Sequence, residues 1–135
     1  METILPGRKN IVVLGAGFGG ISALIHLYRS LQRTHLRHTY QLVIVDRNAQ
    51  HLYTPALYEI ASIPHGEASA LALKSSICIQ ISDVISKLPG VVFVGEAAKS
   101  IRSDERRITF ESGDELWFEY LVIALGAETN YFDIP

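Results

Sequence analysis

Residues Asn10 to Leu27, NIVVLGAGFGGISALIHL, decide the fold. Asn10 to Leu14 is a continuous, β-branched apolar run, the pattern of a strand buried on both faces in a parallel sheet. Gly15-Ala16-Gly17-Phe18-Gly19-Gly20 then forces a turn. From Phe18 to about Gln32 the apolar positions Ile21, Leu24, Ile25, Tyr28 and Leu31 recur at helical spacing. Leu42 to Val45 is a second buried strand, and it ends at Asp46. Strand, glycine turn, helix, strand and acid make the opening βαβ unit of a doubly wound α/β fold.

Each glycine in this turn has its own task. Gly15 permits the tight turn off the strand, Gly17 lets the backbone approach a pyrophosphate, and Gly20 lets helix and strand lie close. Gly19 adds room. The helix N-terminus presents free N–H groups and a partial positive charge to an anion. Asp46 is placed to accept hydrogen bonds from the ribose of an adenosine and to repel a 2′-phosphate, even with Arg47 adjacent. Its separation from Gly20, 26 residues, is somewhat long, and the extra length falls in the segment before the second strand. A dinucleotide is therefore expected; the motif alone leaves open whether it is a nicotinamide dinucleotide or FAD.

At 135 residues, 48% hydrophobic, 19% charged and with a net charge of −2, the chain suits one globular domain. That charge argues against nucleic acid as a partner, which normally meets a concentrated basic surface. Cys78 is the single cysteine, so no internal disulfide and no Cys-rich metal knuckle can form. A cytoplasmic setting fits, and Cys78 itself is expected to be a small buried hydrophobe. No metal-ligand spacing occurs among His26, His35, His38, His51 and His65, and no G-x-S-x-G elbow is present. No catalytic residue and no metal ligand is assigned; a bound cofactor would have to supply the reactivity. His26 reads as structural.

Residues 29–41, RSLQRTHLRHTYQ, gather Arg29, Arg33, His35, Arg37 and His38. They read either as an anion or membrane-surface patch or, the favoured interpretation, as a solvated helix end complementing the helix dipole. Thr54-Pro55 has the form of a helix start, with Thr as N-cap. Residues 63–69 read as a loop and 82–88 as a short helix ended by Pro89-Gly90. Val91 to Val94 is a third buried strand. Strands at Ala98–Arg102 and Arg107–Glu111 follow, then a turn at Ser112-Gly113-Asp114 and a last apolar strand at Leu121–Leu125, closed by Gly126.

Three blocks, IVVLGAGFGG (11–20), VDRNAQHLYTPALYEIAS (45–62) and YLVIALGAETNYFDIP (120–135), resemble the FAD-binding half of two-dinucleotide flavoprotein oxidoreductases. Within that superfamily the chain is most similar to type II NADH dehydrogenases, the single-subunit NADH:quinone oxidoreductases. The resemblance implies a Rossmann-like FAD domain with a parallel sheet and a small antiparallel excursion before the last strand. Gly15, Gly17, Phe18, Gly19 and Gly20 would line the FAD pyrophosphate, and Asp46 would bind the adenosine ribose with Arg47 near the adenine. Thr54 and Pro55 would sit toward the flavin ring. Ala97 would meet the adenine through its backbone, and Ala124, Leu125 and Gly126 would form a close backbone approach to FAD.

NADH and a quinone are the implied partners of the intact enzyme. The NADH domain would lie outside residues 1–135, so this segment is expected to be an N-terminal part, inactive by itself. Membrane association is expected only through C-terminal parts outside it, peripherally on the inner face. Leu24 stands where the family has a small residue, which predicts looser helix packing. Gln80 and Ser82 replace an expected proline and arginine, and no C-x4-C pair follows the first helix. The alternatives are a ferredoxin, rubredoxin or sulfide:quinone type of flavoprotein reductase, or a non-enzymatic NAD- or FAD-binding module.

Overall fold

The computed structural model describes residues 4–52, 62 and 78–127. Four strands form a parallel sheet: β1 (Lys9–Leu14), β2 (Tyr40–Val45), β5 (Val91–Val94) and β9 (Tyr120–Ile123). Their spatial order is β5-β2-β1-β9. The chain thus works outward from β1 to one edge, then returns to the other side of β1. The strand order reverses at β1, the place where doubly wound sheets open a crevice at the C-terminal strand ends.

The register keeps those ends level. Leu14 lies opposite both Val45 and Ile123, and Val45 opposite Val94. The ladder runs one rung further: Ala124 N–H donates to Leu14 O at 2.8 Å, Gly15 N–H to Val45 O at 2.8 Å, and Asp46 N–H to Val94 O at 3.1 Å. Residues just past the strands are therefore held as firmly as the strands themselves.

Strands β1, β2 and the start of β5 bury both faces, which is why they read as unbroken apolar runs, whereas edge strand β9 is only partly covered. On one face Ile11, Val13, Leu42, Ile44 and Val91 pack with Leu24, Ile81 and Leu88. On the other, Val12, Leu14, Val43, Val45 and Val92 meet Ile108, Phe110, Leu116 and Phe118. Ile108, Phe110 and Leu116 come from a three-stranded antiparallel sheet, β6 (Ala98–Arg102), β7 (Arg107–Phe110) and β8 (Glu115–Trp117), and Phe118 directly follows β8. The first face is covered by α1 (Phe18–Arg33), through Leu24, Ile25, Leu27, Tyr28 and Leu31. Leu24 is fully buried, so the larger residue is absorbed into the core and the helix is not loosened there.

Several expectations need correcting. The segment after α1 is the solvated, cation-bearing helix end that the sequence favours, but it continues through a 3-10 turn, His35–His38, into β2. Gln50–Leu52 (β3) pairs antiparallel with Cys78–Gln80 (β4), a pairing between short segments that carry no periodic signal. Cys78 on β4 is only partly buried, because that two-stranded ribbon lies outside the main sheet. His26 faces solvent on α1 rather than the core. The short helix, α2, spans Ile81–Ile85. Strand β9 stops at Ile123, and Gly126 at φ +73° turns the chain away. Thr54 and Pro55, with the helix start they suggest, lie outside the described residues, as does the loop expected at 63–69.

Candidate functional site: a crevice at the C-terminal end of the parallel sheet

The glycine turn sits at the end of β1, and its glycines serve two different purposes. Gly15 has φ +102°, and a Cβ there would lie 2.3 Å from the Ala124 carbonyl oxygen. A Cβ on Gly20 would lie 1.8 Å from the Gly15 carbonyl oxygen. These two glycines are required by the protein's own packing. A Cβ on Gly17 would meet nothing within 4 Å. The backbone at Gly17 is bare toward open space, as approach by a ligand requires.

Helix α1 begins there, with Gly17 as N-cap, no side-chain cap and no acidic residue in the first turn. Free N–H groups at a helix start are normally satisfied by Ser, Thr, Asp or Asn. A 16-residue helix left in this state presents its donors and its dipole to an anion.

Asp46 ties the turn to the end of β2. Its Oδ2 accepts the Ala16 N–H at 2.7 Å, and its Oδ1 accepts the Asn48 N–H at 2.8 Å. Sequence reasoning missed this structural role. Each carboxylate oxygen has a second lone pair, so both can still accept from a ribose hydroxyl.

Beside Asp46 lies a cavity of about 460 Å³, within the range of small-ligand sites. It brings together five of the expected residues: Asp46, Arg47, Ala97, Leu125 and Gly126. It adds Leu14, Asn48, Glu96 and Glu111, which no sequence signal had marked. Glu111 reaches the rim because its N–H donates to the Ala97 carbonyl at 3.0 Å, and Glu96 is held by the Ser112 hydroxyl. Three carboxylates around the cavity set a potential unfavourable to an extra phosphate on an adenosine and suited to neutral hydroxyls.

The other expected residues are distributed around this cavity. Gly17 and Gly19 form the adjoining turn, and Ala124 supports it from below, against Gly15 and Gly19. Gly20 is buried and packs inward. Phe18 points elsewhere: it makes an edge contact with His51, ring centroids 4.6 Å apart, beside a separate apolar cavity of about 400 Å³. Among the described residues no group of His, Cys, Asp and Glu could hold a metal ion.

A bare glycine turn, an uncapped helix and an acid at the end of the second strand, over a reversed strand order, are the marks of a dinucleotide domain, and the residues match a known family model over 9–135. The chain belongs to the pyridine nucleotide-disulphide oxidoreductase family. It is 29% identical to the external NADH-ubiquinone oxidoreductase 2 of Saccharomyces cerevisiae mitochondria, over 95% of this chain and 22% of that protein. It is 28% identical to the type II NADH:quinone oxidoreductase of Haemophilus influenzae, over 93% of this chain and 28% of the relative. The solved sulfide:quinone oxidoreductase of Aquifex aeolicus superposes with a TM-score of 0.71 at 25% identity, over 92% of this chain and 26% of that one. The chain thus spans about a quarter of the length of these relatives. The Rossmann-type fold expected from the glycine turn is the fold observed.

Proposed function

We propose that this chain is the FAD-binding part of a flavoprotein oxidoreductase that takes electrons from NADH and delivers them to a quinone. The observation that carries this reading is the open backbone at Gly17, on an uncapped helix start, beside a cavity walled by Asp46 and two further carboxylates. FAD, when bound, supplies a ring that accepts two electrons as a hydride and passes them on.

The chain's own residues bind and orient. Backbone N–H groups at the start of α1 donate to the pyrophosphate, and Asp46 accepts from the ribose. Ala97 offers its backbone to the adenine, with Arg47, Glu96 and Glu111 around it. Ala124, Leu125 and Gly126 allow close approach from the β9 side. Thr54 and Pro55 are proposed to face the flavin ring, by their resemblance to the family block. No acid–base residue is assigned in this segment. NADH is bound, on this reading, by a second dinucleotide site outside residues 1–135.

Likeness to the sulfide:quinone oxidoreductase of Aquifex aeolicus favours a second reading, in which sulfide replaces NADH as donor. This segment holds one cysteine, Cys78, so on that reading a redox cysteine pair draws at least one member from outside residues 1–135. Purification of the full chain and release of its flavin by heat tests the proposal. The expected result is FAD whose visible band is bleached by NADH and restored by a soluble quinone. A flavin-free protein would overturn the reading altogether, and an FAD protein bleached by sulfide but not by NADH would move it to the second.

A further inference from the structure

Glu96, two residues past the end of β5, brings a carboxylate to the wall of the crevice. Its orientation is set from the antiparallel sheet. The Asp114 N–H donates to the Ser112 hydroxyl oxygen at 3.2 Å, and the Ser112 hydroxyl donates its single proton to Glu96 Oε2. The turn that carries Ser112 is itself closed by backbone bonds, Gly113 N–H to Phe110 O at 3.1 Å and Phe110 N–H to Asp114 O at 2.9 Å. Oε2 is thereby engaged, and Oε1 is the atom that can accept from a ligand. Of the three carboxylates on the crevice wall, Asp46 is committed to the glycine turn and Glu111 is exposed. Glu96 is partly buried and held in place.

The level strand ends determine what lies beside it. Leu14, Val45 and Val94 stand abreast on β1, β2 and β5, and neighbouring strands are about 4.8 Å apart. A nucleotide with its pyrophosphate at Gly17, past β1, and its ribose on Asp46, past β2, carries its base one strand further, over the end of β5. The backbone there offers little to an amino group, because the Ala97 carbonyl is turned to the Glu111 N–H at 3.0 Å, along the antiparallel sheet. The acceptor at that position is the Glu96 side chain.

We propose that Glu96 selects adenine: its carboxylate accepts the exocyclic amine of the base, and Ser112 is the positioning residue that holds it. Adenine presents an amino donor where hypoxanthine and guanine present a carbonyl oxygen. A carboxylate, which only accepts, rewards the first and repels the others. The three-stranded sheet is then part of the cofactor site as well as cover for the core. This inference rests on the crevice holding FAD, and adds to that reading the side chain by which the base is chosen.

The test is titration of the flavin-free full chain with FAD and with flavin hypoxanthine dinucleotide, in which an oxygen replaces the amine. The measured quantity is the ratio of the two dissociation constants, so that general repulsion between Glu96 and the pyrophosphate cancels. The wild type is expected to prefer FAD about 10- to 100-fold. In Glu96→Gln the amide oxygen can keep the Ser112 hydroxyl while its NH2 faces the base, so the preference should fall to about one or reverse. Ser112→Ala should lower the preference about threefold or more, and Ser112→Thr, which keeps the hydroxyl, should retain it. Melting midpoints confirm that all variants are folded. Equal binding of both nucleotides by the wild type, or a wild-type preference in Glu96→Gln, would overturn the proposal and leave the FAD reading standing. An unchanged preference in Ser112→Ala would overturn the positioning role. Failure to bind either nucleotide would overturn the FAD reading and this inference with it.

Discussion

The parallel sheet and the three-stranded antiparallel sheet are held by different forces. The central strands of the parallel sheet, β1 and β2, are dry on both faces, and their ends are locked by backbone geometry down to single glycines. The antiparallel sheet is dry on one face only. Its outer face carries Arg102 and Arg107 on the Glu115 carboxylate, with side chains between about a third and a half exposed. Exposed ion pairs contribute about 0–1 kcal/mol each, whereas a fully buried aliphatic side chain contributes about 1.5–3 kcal/mol. The difference shows which parts of the fold tolerate change: the crevice floor does not, and the outer ladder does.

The severest break is expected at Gly20→Ala. Its Cβ has no room beside the Gly15 carbonyl, and both partners are backbone, so neither can swing away. A loss of about 3 kcal/mol or more, measured by denaturant unfolding, is expected. Ile108→Ala strikes the seam between the sheets, where Ile108 is fully buried against the parallel sheet. It should cost about 2–5 kcal/mol, and a loss under 1 kcal/mol would show that the sheets are packed loosely.

Asp46→Asn sharpens the account of the crevice. An amide can accept one of the Ala16 and Asn48 N–H groups but turns its NH2 toward the other. A loss of about 1–3 kcal/mol is expected, larger for Asp46→Ala, which abandons both donors. The smallest effect belongs to the ion-pair face. Hydrogen bonding from Arg107, at 2.6 Å, holds the Glu115 carboxyl below the usual glutamate range, with the charge of Arg102 adding to it. A depressed folded-state value means its contribution is complete above the ordinary glutamate range and is lost as pH falls through the lowered value. Glu115→Gln should therefore flatten the acid limb of the stability profile slightly and leave neutral pH nearly unchanged.

The parallel strands and α1 could be read from the sequence because burial on both faces writes itself as unbroken Ile, Val and Leu, and a helix as a 3.6-residue period. The glycine turn could be read because only a backbone requirement explains so many glycines in six positions. Other features left no such trace. The β3–β4 ribbon joins residues far apart in sequence, and three-residue strands have no period to detect. Glu96 and Glu111 reach the cavity only because the antiparallel sheet folds back, which no local pattern encodes. Asp46 was recognised for its position, yet its two backbone partners follow from the conformation of the turn. Phe18, inside the motif, turns away from the crevice toward His51.

The central claim is that Gly17 is small for a ligand's sake and Gly20 for the protein's. The measurement that tests it most directly is titration of FAD into the flavin-free full chain, wild type against Gly17→Val, with unfolding curves for both. Gly17→Val should keep stability within about 0.5–1 kcal/mol, since its side chain enters open space. It should weaken FAD binding roughly 10- to 100-fold, equivalent to one lost charge-assisted hydrogen bond of about 1.5–3 kcal/mol. Undiminished FAD affinity in Gly17→Val would contradict the account.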